Sequence, residues 1–218
     1  MTSQTALETP IDGLWATPPA PLPFDSTVDV RAFLLERPHG NLIVYDAPGL
    51  AAAASEIQAR GGATRQLLNH AHEAMFGSQG LDVGVFVGGR DRNHTGSLPI
   101  AGTFSERQTL DDDFEVIPSP GHTPGTTTFL WDSGRHRFLF TGDTLWIEHG
   151  NWRATVLGDS DRAAYLHSLA LLRELEYDVL VPWAATAGEP YIDVVTHTQA
   201  RQRLDAIIER VQAGEETA

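Results

Sequence analysis

The chain has 218 residues, 41% of them hydrophobic, enough to bury one sizeable core, and it fits a single domain over 1–218. Its formal net charge of −14 argues against a nucleic-acid groove, because phosphate contacts need clustered cations. With no cysteine there is neither a disulfide framework nor thiolate chemistry. No apolar run reaches membrane-spanning length and no basic stretch followed by an apolar one opens the chain, so a cytoplasmic protein without a membrane partner is expected.

In chain order, residues 1–24 contain Thr-Pro-Pro-Ala-Pro-Leu-Pro and predict an extended lead-in along one edge of the domain. Strands are predicted at 30–36 and 41–46, joined through Pro38-His39-Gly40 as a hairpin. A helix over 50–60 ends at Gly61, and 64–69 is a short strand. Further strands are expected at 83–87, 114–117, 126–131 and 137–140, the last two flanking the hairpin turn Asp132-Ser133-Gly134-Arg135. A helix over 161–175, with Asp159 or Ser160 as its cap, precedes a strand at 179–181 and a final helix over 193–213. Hairpins first and strand–helix alternation later predict an α/β (α+β) fold with a mixed sheet and outer helices.

Four residues in the loops of this frame suit a metal ion. His70 and His72 end the strand 64–69, and on extended backbone residues two apart point the same way, so both imidazoles can reach one ion. His122 stands in Pro-Ser-Pro-Gly-His-Thr-Pro-Gly, a path that proline restricts without making it regular. Asp143 follows the strand 137–140, with Gly142 permitting a sharp turn before it. Taken singly, a His-x-His pair is more often two unrelated histidines, His122 a turn residue and Gly-Asp a structural turn. Together, at the carboxyl ends of three strands, they form a candidate site.

These stretches resemble the metallo-β-lactamase superfamily, and most of all its glyoxalase II and related hydrolase branch. Pro120-Gly121-His122-Thr123-Pro124-Gly125 and Thr141-Gly142-Asp143-Thr144-Leu145 carry the resemblance, which runs from about residue 31 to the end of the chain. It implies a four-layer αββα sandwich. The departures are as specific. Where the family has His-x-His-x-Asp-His, this chain has His70-Ala71-His72-Glu73-Ala74-Met75, and where the family has Pro-Gly-His it has Pro182-Trp183-Ala184. In the family the missing groups serve the second metal, so the resemblance implies a degenerate second site and one retained centre of His70, His72, His122 and Asp143.

The reading that follows is a metallo-hydrolase of a small ester, thioester or lactone, using one divalent ion, zinc favoured over iron, with Asp143 orienting the attacking water. Two alternatives stand beside it. Persulfide dioxygenases of the same fold hold one iron at positions matching His70, His122 and Asp143, and the lost ligands also admit a non-catalytic binding scaffold. Glu73 is expected to point away from the histidines as a solvated charge, and Met75 and Trp183 to fill the former second-metal pocket. His197 is expected on the packing face of the last helix, and His94 in a polar loop. His149 has a loop role as its first reading and a substrate contact as its second.

Overall fold

The computed structural model describes residues 6–215. Strand alternation builds its centre. In the strand Arg137–Gly142, Phe138 and Phe140 enter one core and Leu139 another, and in Val179–Pro182 the residues Val179 and Val181 alternate with Leu180 in the same way. A period of two therefore gives this sheet two apolar faces. One packs with a second sheet around the edge-to-face rings of Phe33, Tyr45 and Phe140. The other lies beneath helices Arg162–Arg173 and His197–Ala213, which bury Leu169, Leu172, Leu204 and Val211 on it. The helix Gly49–Ala59 buries Leu50, Ala53 and Ile57 in the core of the second sheet. The result is the αββα sandwich.

The first of these sheets has six strands, ordered Gln108–Leu110, Phe114–Pro118, Thr127–Asp132, Arg137–Gly142, Val179–Pro182 and Asp193–Val194. The second has seven, from the edge strand Glu8–Ile11 through Leu42–Val44 and Arg65–Leu67 to Ile100–Phe104. A further five-stranded sheet sets Trp146–Glu148 beside Ala184–Thr186 and then Asp25–Val30 and Ala20–Leu22. Both expected hairpins are present, with Phe33 opposite Val44 and Asp132 opposite Arg137. No described helix is long and apolar enough to cross a membrane.

Several local expectations are corrected. Residues 30–36 are not one strand: Asp25–Val30 and Phe33–Leu35 belong to different sheets. Every residue from Val30 to Leu35 is buried, so no change of facing period marks the crossing. The proline-rich lead-in, whose residues 1–5 lie outside the described residues, contributes strands at two sheet edges, where Pro10 and Pro21 withhold no needed ladder donor. Asp161, rather than Asp159 or Ser160, caps the helix that starts at Arg162, accepting the N–H of Ala164. The last helix starts at His197 behind Thr196, which forms a capping box with Gln199.

Candidate metal centre

Each loop of the site leaves the carboxyl end of a strand. After Arg65–Leu67 the chain stays extended to His70 (φ −153°) and then winds into a 3₁₀ turn, Ala71–Phe76. His70 and His72 therefore do not share a strand face as the spacing suggested. The turn brings them together instead, with ring centroids 5.1 Å apart. It also reverses the expected direction of Glu73. That side chain is fully buried, and its carboxylate accepts the N–H groups of Asn69 (2.8 Å), His70 (3.2 Å) and Asp46 (3.0 Å).

Two further side chains tie the loops to one another. Asp91, buried between the exposed Arg90 and Arg92, accepts from Ala71 N–H (2.9 Å) and Thr123 Oγ1 (2.5 Å) through one oxygen and from Gly125 N–H (2.7 Å) through the other. It thus joins the His70–His72 turn to the His122 loop. The hydroxyl of Tyr165 accepts from Thr155 N–H (3.0 Å) and donates to the Thr144 carbonyl (2.5 Å), joining the Asp143 turn to the segment behind His122. Gly142 turns with φ 53°, and a Cβ there would overlap the Asn69 amide, so only glycine lets the Asp143 turn sit against the His70 strand.

One potential ligand atom from each of His70, His72 and His122 lies within 4.8 Å of the others. Oδ2 of Asp143 is 3.4 Å from His70 Nε2 and 3.8 Å from His122 Nε2, and His72 Nδ1 is 3.1 Å from His122 Nε2. All four predicted residues converge. The tautomer of His122 follows from its neighbour: Nδ1 is 2.9 Å from the Thr155 carbonyl oxygen, which can only accept, so Nδ1 carries the proton and Nε2 presents a lone pair. Glu73 Oε1 lies 3.2 Å from His70 Nδ1 as an ion-pair contact, and Nε2 of the same ring faces Asp143.

Charge in the cluster suits a cation. Burial opposes the His70 imidazolium, but Asp143 and Glu73 outweigh it and push its pKa up to about 10. Burial and the charge on His70 push His122 down to about 4 and lower His72 as well. Burial disfavours the Asp143 carboxylate, yet the histidines more than compensate and hold its pKa below the usual value. Both ring nitrogens of His70 and Oδ1 of Asp143 are buried without a hydrogen-bond partner. Unsatisfied buried donors and acceptors are rare, and an ion in the cluster would satisfy the two that face it, His70 Nε2 and the Asp143 carboxylate.

The sequence profile of the metallo-beta-lactamase superfamily matches residues 46–184, the span that holds every residue of this cluster. The chain belongs to that superfamily. No curated protein matches it in sequence. Among solved structures it is similar to the metallo-beta-lactamase from Pontibacter korlensis, at 16% identity and a TM-score of 0.69, over 96% of this chain and 99% of that one. It is also similar to metallo-beta-lactamase GOB-18 from Elizabethkingia meningoseptica (16% identity, TM-score 0.63, 92% and 88% covered). A third is BJP-1, a subclass B3 metallo-beta-lactamase of Bradyrhizobium japonicum (15% identity, TM-score 0.60, 96% and 93% covered). These likenesses carry the fold.

The family positions that depart here have clear fates. Trp183 is buried, donates its indole N–H to the Asp46 carbonyl (2.8 Å) and stands edge-on to His70 with centroids 5.4 Å apart. Met75 does not fill an internal pocket; it is exposed on the cleft. Other histidines stay apart from the cluster. His149 is exposed in a hairpin and pairs with Glu189 (2.8 Å), His197 is half-buried 3.5 Å from Glu176, and His94 is exposed. Sequence reading missed Asp91 and Tyr165 altogether, since nothing local distinguishes a carboxylate or phenol that bonds across 20 or more positions.

Proposed function

We propose that this member of the superfamily is a metal-dependent hydrolase of a small ester, thioester or lactone, with one divalent ion, zinc by preference, held by His70, His72, His122 and Asp143. The observation that carries the reading is the convergence of three imidazoles, with the Asp143 carboxylate beside His70 and His122. An ion there would polarise the scissile carbonyl and make a water acidic enough to attack it near neutral pH. The chain's own residues prepare for that. Glu73 and the Thr155 carbonyl hold the outer ring nitrogens of His70 and His122, fixing which nitrogen faces the substrate. Asp143, with Oδ1 unpaired, can accept a hydrogen bond from the attacking water and align it. A methyl at Ala184 and the indole of Trp183, where the family places its final motif, support one centre rather than two.

A second reading rests on the contacts of Asp143, which lie with His70 and His122. That subset is two histidines and one carboxylate, the pattern suited to ferrous iron and oxygen. Metal analysis and anaerobic reconstitution separate the two. One tightly held ion per chain and zinc-supported ester hydrolysis without oxygen are expected. Two tightly held ions would overturn the single centre. Iron-dependent oxygen uptake on a persulfide with no zinc-supported hydrolysis would replace the hydrolase with a dioxygenase, and silence in both assays would leave a binding scaffold.

A further inference from the structure

Of the large apolar side chains that the described residues leave exposed, Phe24 and Met75 stand on one cleft, the cleft that opens onto His72, His122 and Asp143. Single exposed apolar residues need no explanation, but two on the wall of one cavity mark a surface kept for a ligand. The cavity has a volume of about 400 Å³, within the range that encloses a small molecule. Leu22, Val28, Trp146 and Leu157 complete its apolar wall, brought together because the five-stranded sheet sets the strand after Asp143 near the hairpin formed by Ala20–Leu22 and Asp25–Val30.

Away from the proposed ion, the charges around this cavity are one-sided. Among the described residues no arginine lines it, and the chain contains no lysine. Apart from Asp143, the only carboxylate among the described residues of the lining is Asp25, which accepts the N–H (2.9 Å) and the hydroxyl (2.6 Å) of Thr27. Those bonds hold its pKa below the usual carboxylate value, so it is charged at neutral pH. A substrate whose far end carries a carboxylate or phosphate would meet a like charge and no counter-ion, within a protein of net charge −14.

Building on the hydrolase reading above, we propose that the substrate is a neutral ester or lactone whose apolar acyl or aryl group lies in this cleft, and that Asp25 selects against anionic analogues. The ester joins the two halves of the site: its carbonyl reaches the histidine cluster while its apolar part is covered by Phe24 and Met75. Neither side chain touches the reacting atoms. They are specificity residues, and their exposure means that replacing them leaves the core intact.

Two assays test this, one without turnover. In the first, the zinc-loaded protein is given p-nitrophenyl esters from acetate to octanoate. The specificity constant kcat/KM is expected to rise about threefold to fourfold per methylene until the cleft is full. The hemiglutarate ester should be slower than the hexanoate ester by about tenfold or more, and Asp25→Asn should narrow that ratio. In the second, the same protein binds N-phenyl-1-naphthylamine or its sulfonated counterpart, 1-anilinonaphthalene-8-sulfonate, followed by fluorescence. The neutral probe should bind about tenfold tighter or more, and Met75→Asp and Phe24→Asp should weaken it. A flat or inverted chain-length series, an equal or preferred anion, or probe binding indifferent to both substitutions would overturn the proposal. Hydrolysis with the wrong preference sinks the cleft assignment and keeps the hydrolase. Selective binding of the neutral probe with no hydrolysis of any ester keeps the ligand class and sinks the hydrolase.

Discussion

Glu73 Oε1 lies 3.2 Å from Nδ1 of His70, with both side chains fully shielded from water. The same carboxylate also receives the backbone N–H groups of Asn69, His70 and Asp46, so it holds the His70 ring and the chain on either side of it. Glu73→Ala should therefore leave buried donors unpaired and lower stability by about 2–4 kcal/mol, read from urea unfolding. The metal affinity should fall by about 10–100-fold, as for other groups that orient a ligand from behind. Unchanged affinity in a folded Glu73→Ala protein would mean that the ring is oriented by packing alone.

Asp91 presents a second case of support at a distance. Asp91→Asn keeps the shape but puts an amide donor against N–H or O–H groups that need an acceptor, at Ala71, Thr123 or Gly125. A loss of about 1–3 kcal/mol is expected, with weakened metal binding because the His70–His72 turn and the His122 loop separate. Arg90→Ala and Arg92→Ala, on exposed neighbours, should move unfolding by no more than about 0.5 kcal/mol. Comparable losses at all three positions would show that the segment, not the carboxylate, matters.

Removing a proposed ligand should separate metal from fold. His122→Ala is expected to strip the ion while circular dichroism stays close to that of the parent, since two apolar clusters hold the sandwich together. His197→Ala, at the start of the last helix, should retain full occupancy. Full occupancy in the first variant with loss in the second would reverse the ligand assignment.

Asp46 predicts a dependence on pH. Burial, with the nearby Glu73 charge adding to it, pushes its pKa from an ordinary 3.8 up to about 7. The folded state thus keeps a proton that the unfolded chain releases. The stability this group contributes is fully present below about pH 4 and is lost as pH rises through about 7, with no further change above. Asp46→Asn should remove that decline, so the unfolding midpoints of variant and parent, measured without metal from pH 4 to 8, should diverge as pH rises. Parallel curves would place the Asp46 carboxyl at its ordinary value.

Much of this protein was written in local pattern. Short apolar runs in 137–140 and 179–181 were enough to identify strands because each lies between two apolar layers, and Gly-rich or Pro-rich turns on either side of His122 and before Asp143 marked both loops. His70, His72, His122 and Asp143 could be chosen because their residue types and neighbours are restricted by chemistry, whatever the path between them. Tertiary structure decided the rest. The crossing at Arg31-Ala32 had no signal, since residues buried on both sides show no period. Whether Glu73 faced water or the site depended on the chain leaving extended geometry at His70, a choice stabilised by Asp46 and Asp91 from other parts of the sequence. The cleft with its one-sided charge likewise exists only once the strand beginning at Trp146 and the hairpin at 20–30 share a sheet, because a surface is a property of neighbours in space.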